Sequence, residues 1–279
     1  MPPQPPVTTD GAAAGCPCGG TDVTVVQRGV YRRTGITAYE FTIVACTSCG
    51  LGRTIPAPDP DQYARAGAHS SDRTDATEDR YSHPLAEDLA ARFPGARVLD
   101  VGCNTGVLVE AASQLGLNAT GIDVDPAVIE VGRRQGRRIS CSPLSAMPRD
   151  FDVLIMNHTL EHVTDPDAFL TEAACHITES GRILINVPNR DGWPARVMRD
   201  RWIGWLPTEH VFHYTEPAMR SLADRVGLEV ESISGNGVIE PRSRGAKCIV
   251  KEVVRQAARR TGHGDEIACS LRRRSAGTP

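Results

Sequence analysis

Beyond residue 84 the apolar positions of this chain follow two periods that take turns. Short aliphatic runs at 97–101, 118–123, 138–141, 151–157 and 182–187 alternate with stretches at 107–115, 126–135 and 165–177 whose apolar residues recur every three or four positions. Runs apolar at successive positions belong to strands covered on both faces, and the longer repeat belongs to helices that bury one stripe. A helix at 85–93 leads into the first strand, while a helix at 216–225, a strand at 228–233 and an amphipathic packing helix at 247–261 extend the series. Strands interleaved with helices in this order predict an α/β fold: a mostly parallel sheet with helices on both faces.

The preceding segment has another texture. Residues 1–14 carry Pro, Thr, Ala and Gly with too little apolar surface to bury, and are expected to be a disordered tail. Residues 15–56 hold alternating segments at 23–26 and 39–44 between two cysteine pairs, and 57–84 form a polar linker rich in Asp, Ser, Ala and Pro. The main domain is therefore expected at 85–274. Tyr63 and Tyr81 in or near the linker either close over a ligand or anchor the linker to the surface.

Composition narrows the chemistry. A formal net charge of −3 and a pI near 6.2 give no global field for gripping a phosphate backbone, which disfavours nucleic acid as partner. No apolar run reaches membrane-spanning length, and the N-terminus lacks a basic segment followed by an apolar one, so a cytoplasmic, reducing location is expected. The nine cysteines are then thiols or metal ligands. Cys16-Pro-Cys18 and Cys46-Thr-Ser-Cys49, each followed by glycine, suit two knuckles of a zinc-ribbon-like lobe whose four thiolates satisfy a tetrahedral structural Zn²⁺. The first pair is one residue shorter than a ribbon normally uses, so either the angle at the metal is strained or one ligand is replaced.

The strongest chemical signal lies at 97–106, Arg-Val-Leu-Asp-Val-Gly-Cys-Asn-Thr-Gly, a buried strand passing through a glycine-flanked turn into a helix. Asp100 at the strand's end fits a cation or a ligand amine better than a pyrophosphate. About twenty residues on, Asp123 ends the second strand, where a carboxylate can accept both hydroxyls of a ribose. These two features together resemble the class I S-adenosylmethionine-dependent methyltransferases, whose fold is a Rossmann-like seven-stranded sheet; residues 264–271 match its last strand, which inserts antiparallel to its neighbours. The resemblance implies that Asp100, Gly102, Cys103, Asn104 and Gly106 wrap the amino-acid end of the cofactor. It implies further that Asp123 and Val124 hold the ribose, with Leu144 and Met147 flanking the adenine. Asn104 replaces the usual middle glycine of the turn; asparagine adopts positive φ more readily than other non-glycine residues.

After the fourth strand stands Asn157-His158-Thr-Leu-Glu161-His162-Val, which resembles the Leu-Glu-His box of small-molecule methyltransferases and is followed, as there, by Asp165-Pro166 and a strand ending Val187-Pro188-Asn189. From this position the family presents residues to the transferring methyl group, so Asn157 and His158 are expected near the cofactor. His158 and His162 are four apart, with Glu161 between, and on a helical turn would share a face. Either an imidazole there takes a proton from the acceptor, or His162 and Glu161 cap and brace the helix. Residues 189–214 carry Trp193, Trp202 and Trp205 and end in Glu209-His210-Val-Phe-His213-Tyr214. This loop is expected to roof an organic substrate, with His210 as a second candidate base; the alternative is that the tryptophans merely bury the loop.

The resemblance implies methyl transfer to a sugar, sugar nucleotide or natural-product intermediate, on O, N or C. Ribosomal-RNA methyltransferases with a zinc ribbon before this fold are a rival reading, opposed by the lobe's modest charge: Arg28, Arg32, Arg33 and Arg53 against Asp22 and Glu40. A non-catalytic cofactor- or partner-binding module is a second rival, opposed by the presence of both Asp100 and Asp123. Oligomeric state is left open by the sequence.

Overall fold

A computed structural model of the chain describes residues 15–32, 38–58, 75–237 and 261–274. The tail at 1–14, Tyr63, the side chain of Tyr81 and the amphipathic segment at 247–260 lie outside the described residues.

The main sheet contains β4 (Arg97–Val101), β5 (Asn118–Asp123), β6 (Ile139–Cys141), β7 (Phe151–Asn157), β8 (Ile177–Pro188), β10 (Leu228–Gly237) and β11 (Glu266–Arg273). Their order is β10-β11-β8-β7-β4-β5-β6, and only β11 runs against its neighbours. The chain enters at the centre, winds outward through β5 and β6, then returns to place β7 on the other side of β4. That reversal opens a crevice at the carboxyl ends of β4 and β7, where α/β sheets bind ligands.

Alternate residues of each strand supply opposite faces. Leu99, Val101, Leu154 and Met156 pack on one side with α4 (Pro166–His176) and α6 (Glu216–Arg225); Val98, Val153 and Ile155 pack on the other with α1 (Asp75–Arg92), α2 (Val107–Gln114) and α3 (Pro126–Arg134). Three helices start alike, with a side-chain oxygen capping the first turn and proline within it: Asp125 accepts from the Ala127 amide at 2.8 Å, Asp165 from Ala168 at 3.0 Å and Thr215 from Ala218 at 3.3 Å. The helix read from sequence at 85–93 begins ten residues earlier, at Asp75, inside the expected linker. Its early turns carry Asp, Glu, Arg, Ser and His rather than an apolar stripe, and Pro84 interrupts it, which is why the pattern hides it.

The N-terminal lobe is a second, four-stranded antiparallel sheet of β1 (Val23–Tyr31), β2 (Tyr39–Cys46), β3 (Gly52–Ile55) and β9 (Phe212–His213), in the order β1-β2-β3-β9. Its last strand comes from the main domain. Cys46, Cys49 and Leu51 enter the same core as Phe212, Tyr214 and Met219, so lobe and sheet share one hydrophobic interior. Phe41 and Ile43 pack on Trp202 and Trp205, both buried, together with Ala195 of α5 (Trp193–Met198). The Trp-rich loop thus fastens the lobe instead of lining a substrate pocket at all three positions; Trp193 alone stays exposed, at 39%. Among the described residues no helix is long and apolar enough to cross a membrane.

One contact of α3 fixes the turn after β4. Gly132 lies against the Thr105 carbonyl and the Ile139 side chain, with which a β-carbon would collide. Gly132→Ala is expected to cost about 1–3 kcal/mol by overpacking and to push the turn out of shape. Thermal unfolding should register the loss, and an unchanged melting temperature would show that α3 can slide away from the turn.

Candidate functional site

The site is built from two segments that meet at the crevice. After β4, Gly102 takes φ 78° and Asn104 φ 50°, so asparagine does occupy the left-handed region in place of the usual glycine. The Gly102 and Cys103 amides donate to the Ile122 carbonyl at 2.8 and 3.0 Å, tying the turn to β5. Asp123 anchors it further: one carboxylate oxygen accepts from the Asn104 amide at 2.9 Å, the other from the Asp125 amide at 2.9 Å. Each oxygen keeps a second lone pair for a hydroxyl donor, and the side chain is half-buried. Asp100 is buried and Val124 is 73% exposed beside the turn. Leu144 is buried and Met147 half-buried on the loop before β7. Arg137, which the sequence reading passed over, donates to the Thr105 carbonyl at 3.1 Å and to Glu110 at 2.7 Å, bracing the turn from behind.

After β7 the chain comes back against that turn. Thr159 donates to the Val101 carbonyl at 2.8 Å, and its side chain fills the space a β-carbon on Gly102 would need. Asn157 accepts from the Asn186 amide at 3.1 Å. His158 has φ 56°, unusual for a non-glycine residue, and Leu160–His162 form a single 3₁₀ turn. The expected sharing of a helical face by His158 and His162 is therefore not realised. His158 points away, to Glu161 at 3.2 Å and Glu266 on β11 at 2.9 Å. Burial lowers its pKa, but the hydrogen bonds it donates to both carboxylates outweigh burial and push it up to about 10, which favours its cationic form. Glu266 had no local signal: more than a hundred residues separate it from the histidine it contacts.

His162 and His210 meet with ring centroids 4.8 Å apart, edge to face. The Nδ1–H of His162 donates to the Glu209 carbonyl at 3.1 Å and that of His210 to the Gly204 carbonyl at 2.9 Å, which fixes the orientation of both rings. Burial, then the neighbouring His162 and His213, drive the pKa of His210 far down, so this ring is neutral. Glu161 is 1% exposed, with one oxygen 3.9 Å from His210 Nε2. The lobe holds this cluster in place through buried Thr54, which donates to the His210 carbonyl at 2.7 Å and meets His213 Nε2 at 2.8 Å. The Val211 amide donates to the Glu161 carbonyl at 2.9 Å.

The four lobe cysteines converge despite the short first spacing. Cys16 faces Cys49 at 3.4 Å and Cys18 faces Cys46 at 3.5 Å, and all four sulfurs lie within 4.8 Å of one another. A tetrahedral zinc with bonds of about 2.3 Å separates its sulfurs by roughly 3.8 Å, so this donor set fits. Burial raises the pKa of Cys46, but backbone amides of Cys49 and Ser48 outweigh it and bring the thiol down to about 7.

Residues 74–233 match the sequence model of a family described as a methyltransferase domain. The ubiquinone biosynthesis O-methyltransferase of Xanthomonas euvesicatoria is 32% identical over 157 residues, which make up 50% of this chain and 66% of that protein. Its Xylella fastidiosa counterpart is 38% identical over 165 residues, 53% of this chain and 67% of that one. The chain spans less than two thirds of some of these relatives, 59% for those of Xanthomonas campestris. The 1,6-didemethyltoxoflavin-N1-methyltransferase of Burkholderia thailandensis, solved with 1,6-didemethyltoxoflavin and S-adenosylhomocysteine, shares the fold: the TM-score is 0.55 over 90% of this chain and 100% of that one, at 16% identity.

Proposed function

The chain belongs to the methyltransferase-domain family, and from that premise we propose that it transfers the methyl group of S-adenosylmethionine to a hydroxyl of a small organic molecule. One observation carries this reading: the turn anchored by Asp123 and the segment that bears the acid–histidine cluster touch through Gly102 and Thr159, so a cofactor held by the turn would lie beside that cluster. S-adenosylmethionine would supply a methyl carbon open to in-line attack by a nucleophile, the electron pair of the broken C–S bond staying on the departing sulfur.

Asp123 accepts the ribose hydroxyls, Asp100 and the backbone of 102–106 receive the amino-acid end, and Leu144 with Met147 borders the adenine. His162 and His210, each oriented through Nδ1 by a backbone carbonyl, manage the proton that leaves the acceptor oxygen; His158 and Glu266 form an ion pair behind them. The names of the relatives support an oxygen acceptor. Cys16, Cys18, Cys46 and Cys49 hold a structural zinc that sets the lobe, and through Thr54 the position of His210.

Incubation with S-adenosylmethionine carrying a deuterated methyl group and pools of hydroxylated aromatic and sugar metabolites should yield a mass-shifted product. His210→Gln is expected to keep cofactor affinity and lower turnover by about 10²–10⁴-fold, the usual contribution of a positioned proton-handling group. Wild-type turnover in that variant would remove the histidine cluster from the chemistry.

A further inference from the structure

The four lobe cysteines differ in how solvent meets them. Cys16 and Cys18 are half-buried, whereas Cys46 and Cys49 are buried, at 4% and 8% exposure. Their contacts cross between the two knuckles: Cys16 Sγ meets Cys49 Sγ at 3.4 Å and Cys18 Sγ meets Cys46 Sγ at 3.5 Å. Each pair thus joins a sulfur that solvent reaches to one that it does not. Gly20 keeps the second pair open, because a β-carbon there would sit 2.8 Å from Cys46 Sγ and 3.3 Å from Cys18 Sγ. The exposed Cys141 and Cys175 are placed differently, their sulfurs lying against the Val124 and Thr171 carbonyls.

We propose that Cys16 with Cys49 and Cys18 with Cys46 are two disulfide-forming pairs, through which oxidation by a peroxide releases the zinc and switches methyl transfer off. The reachable thiolate of a pair attacks one peroxide oxygen; the O–O bond breaks, hydroxide leaves and a sulfenic acid forms on Cys16 or Cys18. The buried partner's thiolate then attacks that sulfur, so the S–S bond forms as the S–O bond breaks and a second hydroxide leaves. Each bridge takes two electrons from two thiolates and reduces one peroxide, and two protons from solvent complete two waters. With both bridges closed no thiolate is left to hold the metal, which passes to solvent. Contact between the attacked and the resolving sulfur favours closure over further oxidation to sulfinic acid.

The effect reaches the site along the lobe's strands. Cys46 ends β2, β3 carries Thr54, and Thr54 donates to the His210 carbonyl at 2.7 Å. Knuckles drawn together without their metal shift β3 against β9. The loss of activity rests on the methyl-transfer reading; the bridges do not.

The test uses the full, reduced, zinc-loaded chain titrated with hydrogen peroxide, with zinc release followed by a chromophoric chelator and free thiols blocked before peptide mapping. Release of about one zinc per chain is expected. It should accompany a cross-link between tryptic peptides 1–28 and 34–53, whose fragmentation gives Cys16 bonded to Cys49 and Cys18 to Cys46. Hydrogen exchange at β3 and β9 should rise. Methyl transfer should fall about ten- to a hundred-fold, the scale of a small misplacement near reacting groups, and return with a dithiol and zinc. The double variant Cys141→Ser, Cys175→Ser should respond alike. Zinc retained at peroxide levels that fully oxidise Cys141 and Cys175, bridges within each knuckle, or oxidation that a dithiol does not reverse overturns the pairs. Bridges formed with undiminished methyl transfer and unchanged exchange overturn the switch. If the reduced chain methylates no acceptor, the methyltransferase reading fails, while the mapped bridges with raised exchange still support the pairs.

Discussion

Replacing Cys46 by serine is expected to remove the bound zinc and unfold the N-terminal lobe, the largest stability loss of any single substitution considered. Structural zinc sites in small domains contribute on the order of 10 kcal/mol of binding free energy at neutral pH, and that energy is folding energy. The outer strand packs little of its own: Val23, Val25, Val26 and Val30 of β1 are exposed, and the lobe's buried apolar surface is shared with the main domain. Damage should therefore spread. Loss of the lobe frees Thr54 and β3, which position His210 and β9, so activity should fall together with the melting temperature. A metal assay should read about one zinc per chain fewer in the variant. Native-like melting and activity in a zinc-free Cys46→Ser protein would show that packing alone sets the lobe.

The second large effect is on cofactor affinity. Asp123→Ala is expected to remove two charge-assisted ribose contacts worth about 2–4 kcal/mol together, a weakening on the order of 10²-fold or more in S-adenosylmethionine binding. It also removes the acceptors of the Asn104 and Asp125 amides, so the turn itself loosens. Asp123→Asn separates the two effects, because an amide oxygen still serves one backbone donor while the charge is gone. Calorimetry should place Asn between wild type and Ala. Equal affinity in all three proteins would detach the ribose from β5.

What the sequence made legible, and what it hid, follows from how local each determinant is. Strands β4, β5 and β7 appear where the apolar runs place them, because burial on both faces writes itself into consecutive residues. The turn at 102–106 was readable for the same reason: glycine, asparagine and a following helix are all local. The two-residue β9 was invisible because it exists only through pairing with β3 more than 150 residues away, and the four-residue β3 is too short to write a period of its own. Trp202 and Trp205 looked like pocket walls until their partners, Phe41 and Ile43, came from the other end of the chain. His158 was expected on a helical face, yet its left-handed backbone and its pairing with Glu266 depend on β11 inserting beside β8. The clustering of His162 with His210 likewise needed the loop fastened by the lobe.

The central claim is that the Asp123-anchored turn and the Glu161–His162–His210 cluster are two halves of one methyl-transfer site. A crystal structure of the full chain with S-adenosylhomocysteine tests it most directly. The account predicts ribose hydroxyls on the Asp123 carboxylate, the amino-acid end against Asp100 and the 102–106 backbone, and the sulfur facing the cleft bounded by Asn157, His162 and His210. A ligand seated elsewhere, or one whose sulfur points away from that cluster, would contradict it.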